Sequence, residues 1–109
     1  MSSMDDRERA FETKFAHDAE MQFKAEARRN KLLGMWAAGK MGMMNPAEAQ
    51  SYAQEVVKAD FEEAGDEDVY RKVSGDLEAR GAEWTEQELR GKMAEFLAEA
   101  KEQIMNEVD

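Results

Sequence analysis

The sequence contains no cysteine, one proline (Pro46) and one histidine (His17). Without cysteine the chain forms neither disulfides nor thiolate metal sites. One proline among abundant Ala, Glu, Lys, Met and Arg favours helices over strands. The longest apolar stretch, residues 34–44, is interrupted by Lys40 and falls short of the roughly 20 residues that span a bilayer. With no signal-peptide core either, we expect an all-α cytoplasmic protein without direct membrane insertion.

The net negative charge comes from the second part of the chain. The net charge is −10, with +1 in residues 1–47 and −11 in residues 48–109. A field of this sign disfavours nucleic acid and anionic lipid as partners. The charge distribution therefore leaves a protein as the expected partner.

Catalytic and metal-binding motifs are also lacking. A single histidine and no cysteine leave little for nucleophilic or general base chemistry beyond carboxylates. The acidic run at residues 60–68 resembles a calcium loop, but counting from Asp66 puts Arg71 where the turn glycine belongs and Leu77 where the bidentate Glu belongs. We expect no catalytic residue and no metal site, and hence not an enzyme.

Four helices are predicted from start and stop signals. The last begins near Glu86, because Thr85 and Glu88 form a capping box. The second has Asn45 as its cap and Pro46 at its first position. Gly65 and Gly81 are the predicted ends of the second and third helices. The predicted core positions, in helix order, are Phe23, Leu32, Leu33, Trp36 and Ala37; Tyr52, Ala53, Val56, Val57 and Phe61; Tyr70, Val73 and Leu77; Leu89, Met93, Phe96, Ala100 and Ile104.

The first helix is too long for such a bundle. Residues 3–38 would span roughly 54 Å, whereas the other three helices reach at most about 35 Å. Short connections predict an antiparallel four-helix bundle, in which about half of the first helix finds partners. We therefore divide the chain into a mobile N-terminal arm, residues 1–18, and a four-helix bundle domain, residues 19–109.

The arm carries the pattern of a helix that folds when it binds a partner. Phe11 and Phe15 lie one turn apart, and Ala19 and Phe23 continue the row, so the two rings are candidate anchors. The alternative that the rings fold back onto the bundle stays open, and His17 is assigned no role. The candidate partner-binding residues are Asp5, Asp6, Arg7, Arg9, Phe11, Glu12, Lys14, Phe15 and Asp18.

Two further sets of residues have competing interpretations. The basic residues Lys24, Arg28, Arg29 and Lys31 are candidate contacts for an anion or nucleotide, although pairing with the acidic helices is favoured. No cofactor is expected, and weak nucleotide binding stays an alternative. The methionines Met35, Met41, Met43 and Met44 could form an adaptable docking surface, but core filling is favoured.

Two stretches, DDRERAFETKFAHDAEMQFKAEARRNKLLGMWAA (residues 5–38) and DFEEAGDEDVYRKV (residues 60–73), resemble the ATPase inhibitor subunit zeta family of the alphaproteobacterial F-type ATP synthase. The pattern KMAEFLAEAKEQI in the last helix is compatible with that family, whereas residues 39–50 depart from it.

The resemblance implies a four-helix bundle with a mobile inhibitory N-terminus. In the family this segment inserts at a catalytic interface between alpha and beta subunits, touches the gamma shaft and blocks rotation in the hydrolytic direction. The free protein is then expected to be a monomer, and the bound protein peripheral at the inner membrane. A nucleotide-responsive bundle and a generic helical adaptor unrelated to the ATPase are the alternative functions.

Overall fold

The computed structural model describes residues 19–60 and 66–108, which form four α-helices and their connections. These are α1 (Ala19–Lys40), α2 (Pro46–Ala59), α3 (Glu67–Ala79) and α4 (Glu86–Val108). No strand occurs among the residues described, and the predicted all-α, four-helix fold is confirmed. The described part measures 50 × 25 × 25 Å. The predicted arm, residues 1–18, lies outside it.

Both predicted helix caps are present. The Asn45 side chain accepts a hydrogen bond from the Ala47 amide at 2.9 Å, and the Thr85 hydroxyl accepts one from the Glu88 amide at 3.0 Å. The Glu88 carboxylate does not return to the cap as a full capping box requires. It accepts a hydrogen bond from Lys40 at 2.7 Å, which joins the end of α1 to the start of α4.

Of the two predicted helix ends, one is confirmed and the other is wrong. Gly81, with φ of 69°, follows α3 and confirms the third stop. The second helix ends at Ala59, before the predicted stop at Gly65. The Asp60 amide bonds to the Val57 carbonyl at 3.3 Å, a bond across three residues that tightens the last turn. Residues 61–65, with the predicted core residue Phe61, lie outside the described part.

The contacts between helices set their directions. Arg28 of α1 contacts Glu107 near the end of α4, whereas Lys40 at the end of α1 contacts Glu88 near its start. These two helices therefore run antiparallel. Tyr52 contacts Asp76 between α2 and α3, and the two shorter helices cover only part of α1.

The molecule consequently has two unlike ends. We call residues 29–60 and 66–96 the four-helix end, and residues 19–28 and 97–108 the two-helix end. The first holds a large core cluster, whose buried members are Leu33, Ala37, Ala38, Ala49, Tyr52, Val56, Val69, Val73, Leu77, Leu89 and Met93. The second holds a small one, in which Leu97 and Met105 pack against the buried residues Met21, Ala25 and Ile104.

The burial pattern of α1 changes between these ends. In its first turns a single row is buried, Met21 and Ala25. From residue 29 onward two adjacent rows are buried, and they contain Arg29, Asn30, Leu33, Gly34, Ala37 and Ala38. One row suffices where α4 is the neighbouring helix, whereas two rows are needed where α2 packs against α1 as well.

Gly34 is required at the α1–α2 contact. A Cβ at this position would lie 2.6 Å from Ala53 Cα, closer than packed atoms approach. Its absence lets the two backbones come together, as glycine does where chains pass closely. Trp36, predicted as core, is only partly buried, and the Lys40 ammonium lies 5.5 Å from its ring centroid.

Candidate functional site

The nine candidate partner-binding residues, Asp5, Asp6, Arg7, Arg9, Phe11, Glu12, Lys14, Phe15 and Asp18, all lie in residues 1–18, outside the described part. Described structure begins at Ala19, the first residue of α1. The arm is therefore joined to the two-helix end. The structure adds the surface of the first turns of α1, which follow directly after the arm in the chain.

The first turns of α1 present two different rows of side chains. Met21 and Ala25 are buried, and their cluster includes Ile104 of α4. Ala19 is exposed and Phe23 is 52% exposed, so the row predicted from Phe11 and Phe15 reaches the surface at this point. Placing Phe23 in the bundle core was wrong, because the row facing α4 is the adjacent one.

Three of the four candidate anion contacts lie on the outer side of α1. Lys24 pairs with Glu20 at 3.7 Å within the helix. Arg28 reaches across to α4, where it contacts Glu107 at 2.6 Å and Gln103 at 3.3 Å. The hydrogen bond from Arg28 lowers the pKa of the Glu107 carboxyl below its usual range. The favoured interpretation, pairing with acidic helices, is confirmed for Arg28.

Arg29 has a different role from these neighbours. Its side chain is 1% exposed; its Nε donates to the Asn30 side chain at 2.6 Å and its Nη2 to Asp66 at 2.9 Å. A buried guanidinium with a carboxylate partner is not available to an anion at the surface. The sequence contains a signal for this burial, because Arg29 continues the i, i+4 row of Ala25 and Leu33.

Arg29 thereby lies close to the described residues at the end of α2 and just before α3. Asp60, the cap residue that ends α2, lies close to Arg29, Asn30, Asp66 and Asp68. Burial raises the pKa of the Asp60 carboxyl, while Asn30 and the positive charge of Arg29 partly counteract that shift. The basic residues thus divide into a surface group, Lys24, Arg28 and Lys31, and one structural anchor. The structure does not bring the four together around a ligand.

A polar network that sequence reasoning missed joins α2 to α3. The Tyr52 hydroxyl donates to Asp76 at 2.8 Å, and Lys72 donates to the same carboxylate at 3.0 Å. The Lys72 ammonium also lies 5.4 Å from the centroid of the Tyr52 ring. Burial, followed by the hydrogen bond to Asp76, raises the pKa of the Tyr52 phenol above its usual range. The sequence offered Tyr52 only as a core position.

The methionines were also placed incorrectly in part. Met44 is 93% exposed and Met35 is 38% exposed, so neither fills the core. Met41 and Met43 are partly buried against the large core cluster, in agreement with the favoured interpretation. The sequence signal for an exposed methionine was its position immediately before the Asn45 cap, where the chain is between helices.

Within residues 19–60 and 66–108, no three His, Cys, Asp or Glu side chains are grouped so that they could hold a metal ion. In this same part, no helix has both the length and the apolar character needed to cross a membrane.

Comparisons with known proteins connect the arm and the bundle. A model of the family described as ATPase inhibitor subunit zeta matches residues 1–103. A structure determined by solution NMR is 57% identical, with a TM-score of 0.70, and the similarity covers 80% of this chain and 98% of that chain. No curated protein matches the sequence.

Proposed function

This chain belongs to the ATPase inhibitor subunit zeta family, and on that basis we propose that it inhibits ATP hydrolysis by the F-type ATP synthase. The observation that carries the proposal is the match over residues 1–103, which includes the arm and nearly all of the bundle in a single family unit. In this proposal the chain is a regulator without catalytic activity of its own, and its partner is the catalytic sector of the synthase.

The binding element in this proposal is the arm, residues 1–18, mobile in the free protein and helical when bound. Phe11 and Phe15 are its anchors. The exposed positions of Ala19 and Phe23 on α1 support a row of contacts that continues from the arm onto the described helix. Because the row avoids the face packed on α4, binding would not require the helices to separate.

The shape of the molecule supports insertion of the arm into a narrow site. The arm joins the two-helix end, where α1 and α4 form the elongated tip of a body about 25 Å across. The four-helix end lies farther from the point where the arm begins. We propose that the arm enters a catalytic interface between alpha and beta subunits and touches gamma, while the bundle stays outside.

A helix wedged against an asymmetric rotating shaft should act in one direction. Rotation in the hydrolytic sense would tighten the wedge, and rotation in the synthetic sense would expel it. The family resemblance supports this mechanism. The protein would accordingly be found at the inner membrane when it is bound to the synthase.

The test adds the purified full-length chain to the soluble catalytic sector and measures ATP hydrolysis. The wild type should inhibit. The double variant Phe11→Ala/Phe15→Ala should inhibit hundreds of times more weakly or worse, since each ring contributes roughly 1.5 to 3 kcal/mol when buried. The melting temperature of the bundle should hardly change.

His17→Ala is the matched control, because it alters the same segment at a residue with no assigned role. It should inhibit like the wild type. If the double variant unfolds at a lower temperature, the two rings belong to the core and the arm is misassigned. A wild-type chain that recovers no alpha or beta subunit in a pull-down would favour the generic adaptor instead.

A further inference from the structure

The turn between α1 and α2, residues 41–45, is largely exposed, yet backbone hydrogen bonds and a helix cap define its conformation. The Gly42 amide bonds to Gly39 O at 3.1 Å and the Met43 amide to Ala38 O at 2.9 Å, and Gly42 has φ of 80°. This pair of bonds is the Schellman motif that closes a helix end. Asn45 then caps α2, so the backbone is fixed on both sides of Met44.

Met44 is held in the solvent by this turn. Its 93% exposure exceeds that of the other exposed large apolar side chains in the described part, Phe23 and Met35. A single exposed apolar side chain is ordinary. Met44, however, directly follows Met43, which together with Met41 lines a neighbouring cleft. The turn thus contributes three polarisable, adaptable thioethers, two of which line the cleft while the third follows them in the chain and is exposed.

The cleft has a volume of about 240 Å³ and lies between the turn, α2 and α3. Met41, Met43 and Tyr52 are among the residues that line it. Glu48 and Glu55 also line it. A cleft of this size is below the 300 to 1,000 Å³ typical of drug-sized ligands, and it suits one or two side chains of a protein.

The charges around the cleft favour a cationic occupant. Three carboxylates line it, those of Glu48, Glu55 and Asp76, against two cations, Lys72 and Arg80. Lys72 already pairs with two of these carboxylates, Asp76 at 3.0 Å and Glu55 at 3.8 Å. Within the described residues the structure gives the Glu48 side chain neither a hydrogen bond nor an ion pair. An incoming lysine or arginine would thus meet an available carboxylate beside apolar surface.

We propose that the Met41–Met44 turn and this cleft form a second docking surface, which takes a segment of the catalytic sector that presents a lysine or arginine beside an apolar side chain. The inference rests on the proposed function, since that complex supplies the partner. The surface belongs to the four-helix end, away from the arm. A turn that hydrogen bonds already close on one side and a helix cap on the other adds little loop-ordering cost to binding.

Charge argues against two other occupants. Residues 1–18 contain five acidic and three basic residues, so the arm of the same chain would be repelled by the carboxylates. A second copy carries the same net charge of −10 and would be repelled as well.

The test uses the full-length variant Met44→Ser/Glu48→Gln with the purified soluble catalytic sector. Both side chains are exposed, so the melting temperature should stay that of the wild type. The concentration needed for half-maximal inhibition of ATP hydrolysis should rise about tenfold or more, the change expected from losing one apolar contact and one ion pair. Maximal inhibition should be unchanged, because the arm is intact.

Ala98→Ser/Glu102→Gln is the matched control, with the same kinds of change at exposed positions of α4. It should inhibit like the wild type. If the test variant inhibits like the wild type, or if the control inhibits as weakly as the test variant, the docking surface is overturned while the proposed function stays in place. The docking surface would also be overturned if the wild type sediments as a dimer and the test variant as a monomer, because a second copy of the chain would then occupy the surface. Failure of the wild type to inhibit at all would overturn both proposals.

Discussion

The two-helix end and the four-helix end differ in how much core supports them. At the four-helix end, α1 buries two adjacent rows of side chains, and residues such as Leu33, Val56 and Leu77 are fully buried. At the two-helix end one row of α1 meets α4, with Met21, Ala25 and Ile104 as the buried residues of its cluster. Stability should therefore be concentrated at the end farther from the arm.

This difference has a functional meaning. Segments that move or bind usually belong to the less stable parts of a fold. Under the proposed function, the binding segment would join the thinly packed end, while the well-packed end would provide most of the stability of the bundle. Changes in the large core should thus act on stability, and changes in the arm on inhibition.

The largest expected effect tests the unequal cores directly. Leu33→Ala should lower the free energy of unfolding by about 2 to 5 kcal/mol, because a fully buried leucine leaves a cavity among several helices. Ile104→Ala should cost about 2 kcal/mol, at the low end of that range, because two helices alone can close more easily around the gap. Urea denaturation followed by circular dichroism measures both.

Hydrogen exchange by NMR distinguishes the ends further. Leu33→Ala should speed amide exchange in all four helices, whereas Ile104→Ala should speed it mainly in residues 19–28 and 97–108. If both variants lose the same stability and both show faster amide exchange in all four helices, one cooperative core joins the two ends.

A second, smaller effect concerns the close contact between α1 and α2 at the four-helix end. Gly34→Ala should destabilise by about 1 to 3 kcal/mol, since the new methyl group would lie 2.6 Å from Ala53 Cα and would overpack the interface. This loss should occur although alanine is the better helix former. Thermal and urea melts would measure it.

Gly91→Ala is the control for helix propensity. A Cβ at Gly91 meets nothing within 4 Å, so the same substitution there should stabilise by about 0.5 to 1 kcal/mol. If both variants are stabilised, α1 and α2 can separate at little cost, and the four-helix end is less tightly packed than the structure indicates.

The smallest effect comes from the polar contact between α2 and α3. Tyr52→Phe removes the hydrogen bond to Asp76 and should cost about 1 kcal/mol at pH 7. Lys72 still binds that carboxylate, which limits the loss. Because burial raises the pKa of the folded-state phenol, the wild type should lose stability as pH rises above about 10, where the unfolded phenol ionises.

The Tyr52→Phe variant lacks the phenol and should lose less stability over the same pH interval. Denaturation at pH 7 and pH 11 therefore should show a smaller difference between the two proteins at the higher pH. A constant difference would indicate that the Tyr52 hydroxyl ionises as readily in the folded protein as in the unfolded chain.

Local sequence determined the number of helices and several of their ends. Asn45 and Thr85 cap the helices that follow them, and Gly81 ends α3, because each of these signals acts on backbone groups within a few residues. Spacing alone also predicted the buried residues Val73 and Leu77 of α3 and most of those of α4, but it missed Val69, which is fully buried, and placed the partly buried Tyr70 in the core. The family resemblance, carried by residues 5–38 and 60–73, agrees with the match over residues 1–103.

The tertiary structure alone decided which faces of α1 are covered. Phe23 and Leu33 are both apolar residues of one helix, yet Phe23 is 52% exposed and Leu33 is buried. Arg29 is buried although it is charged, and Gly34 is a point of close helix contact. Spacing within α1 shows that Arg29 continues the row of Ala25 and Leu33, but the width of the buried face does not follow from α1 by itself, because it depends on where α2 begins and ends beside it.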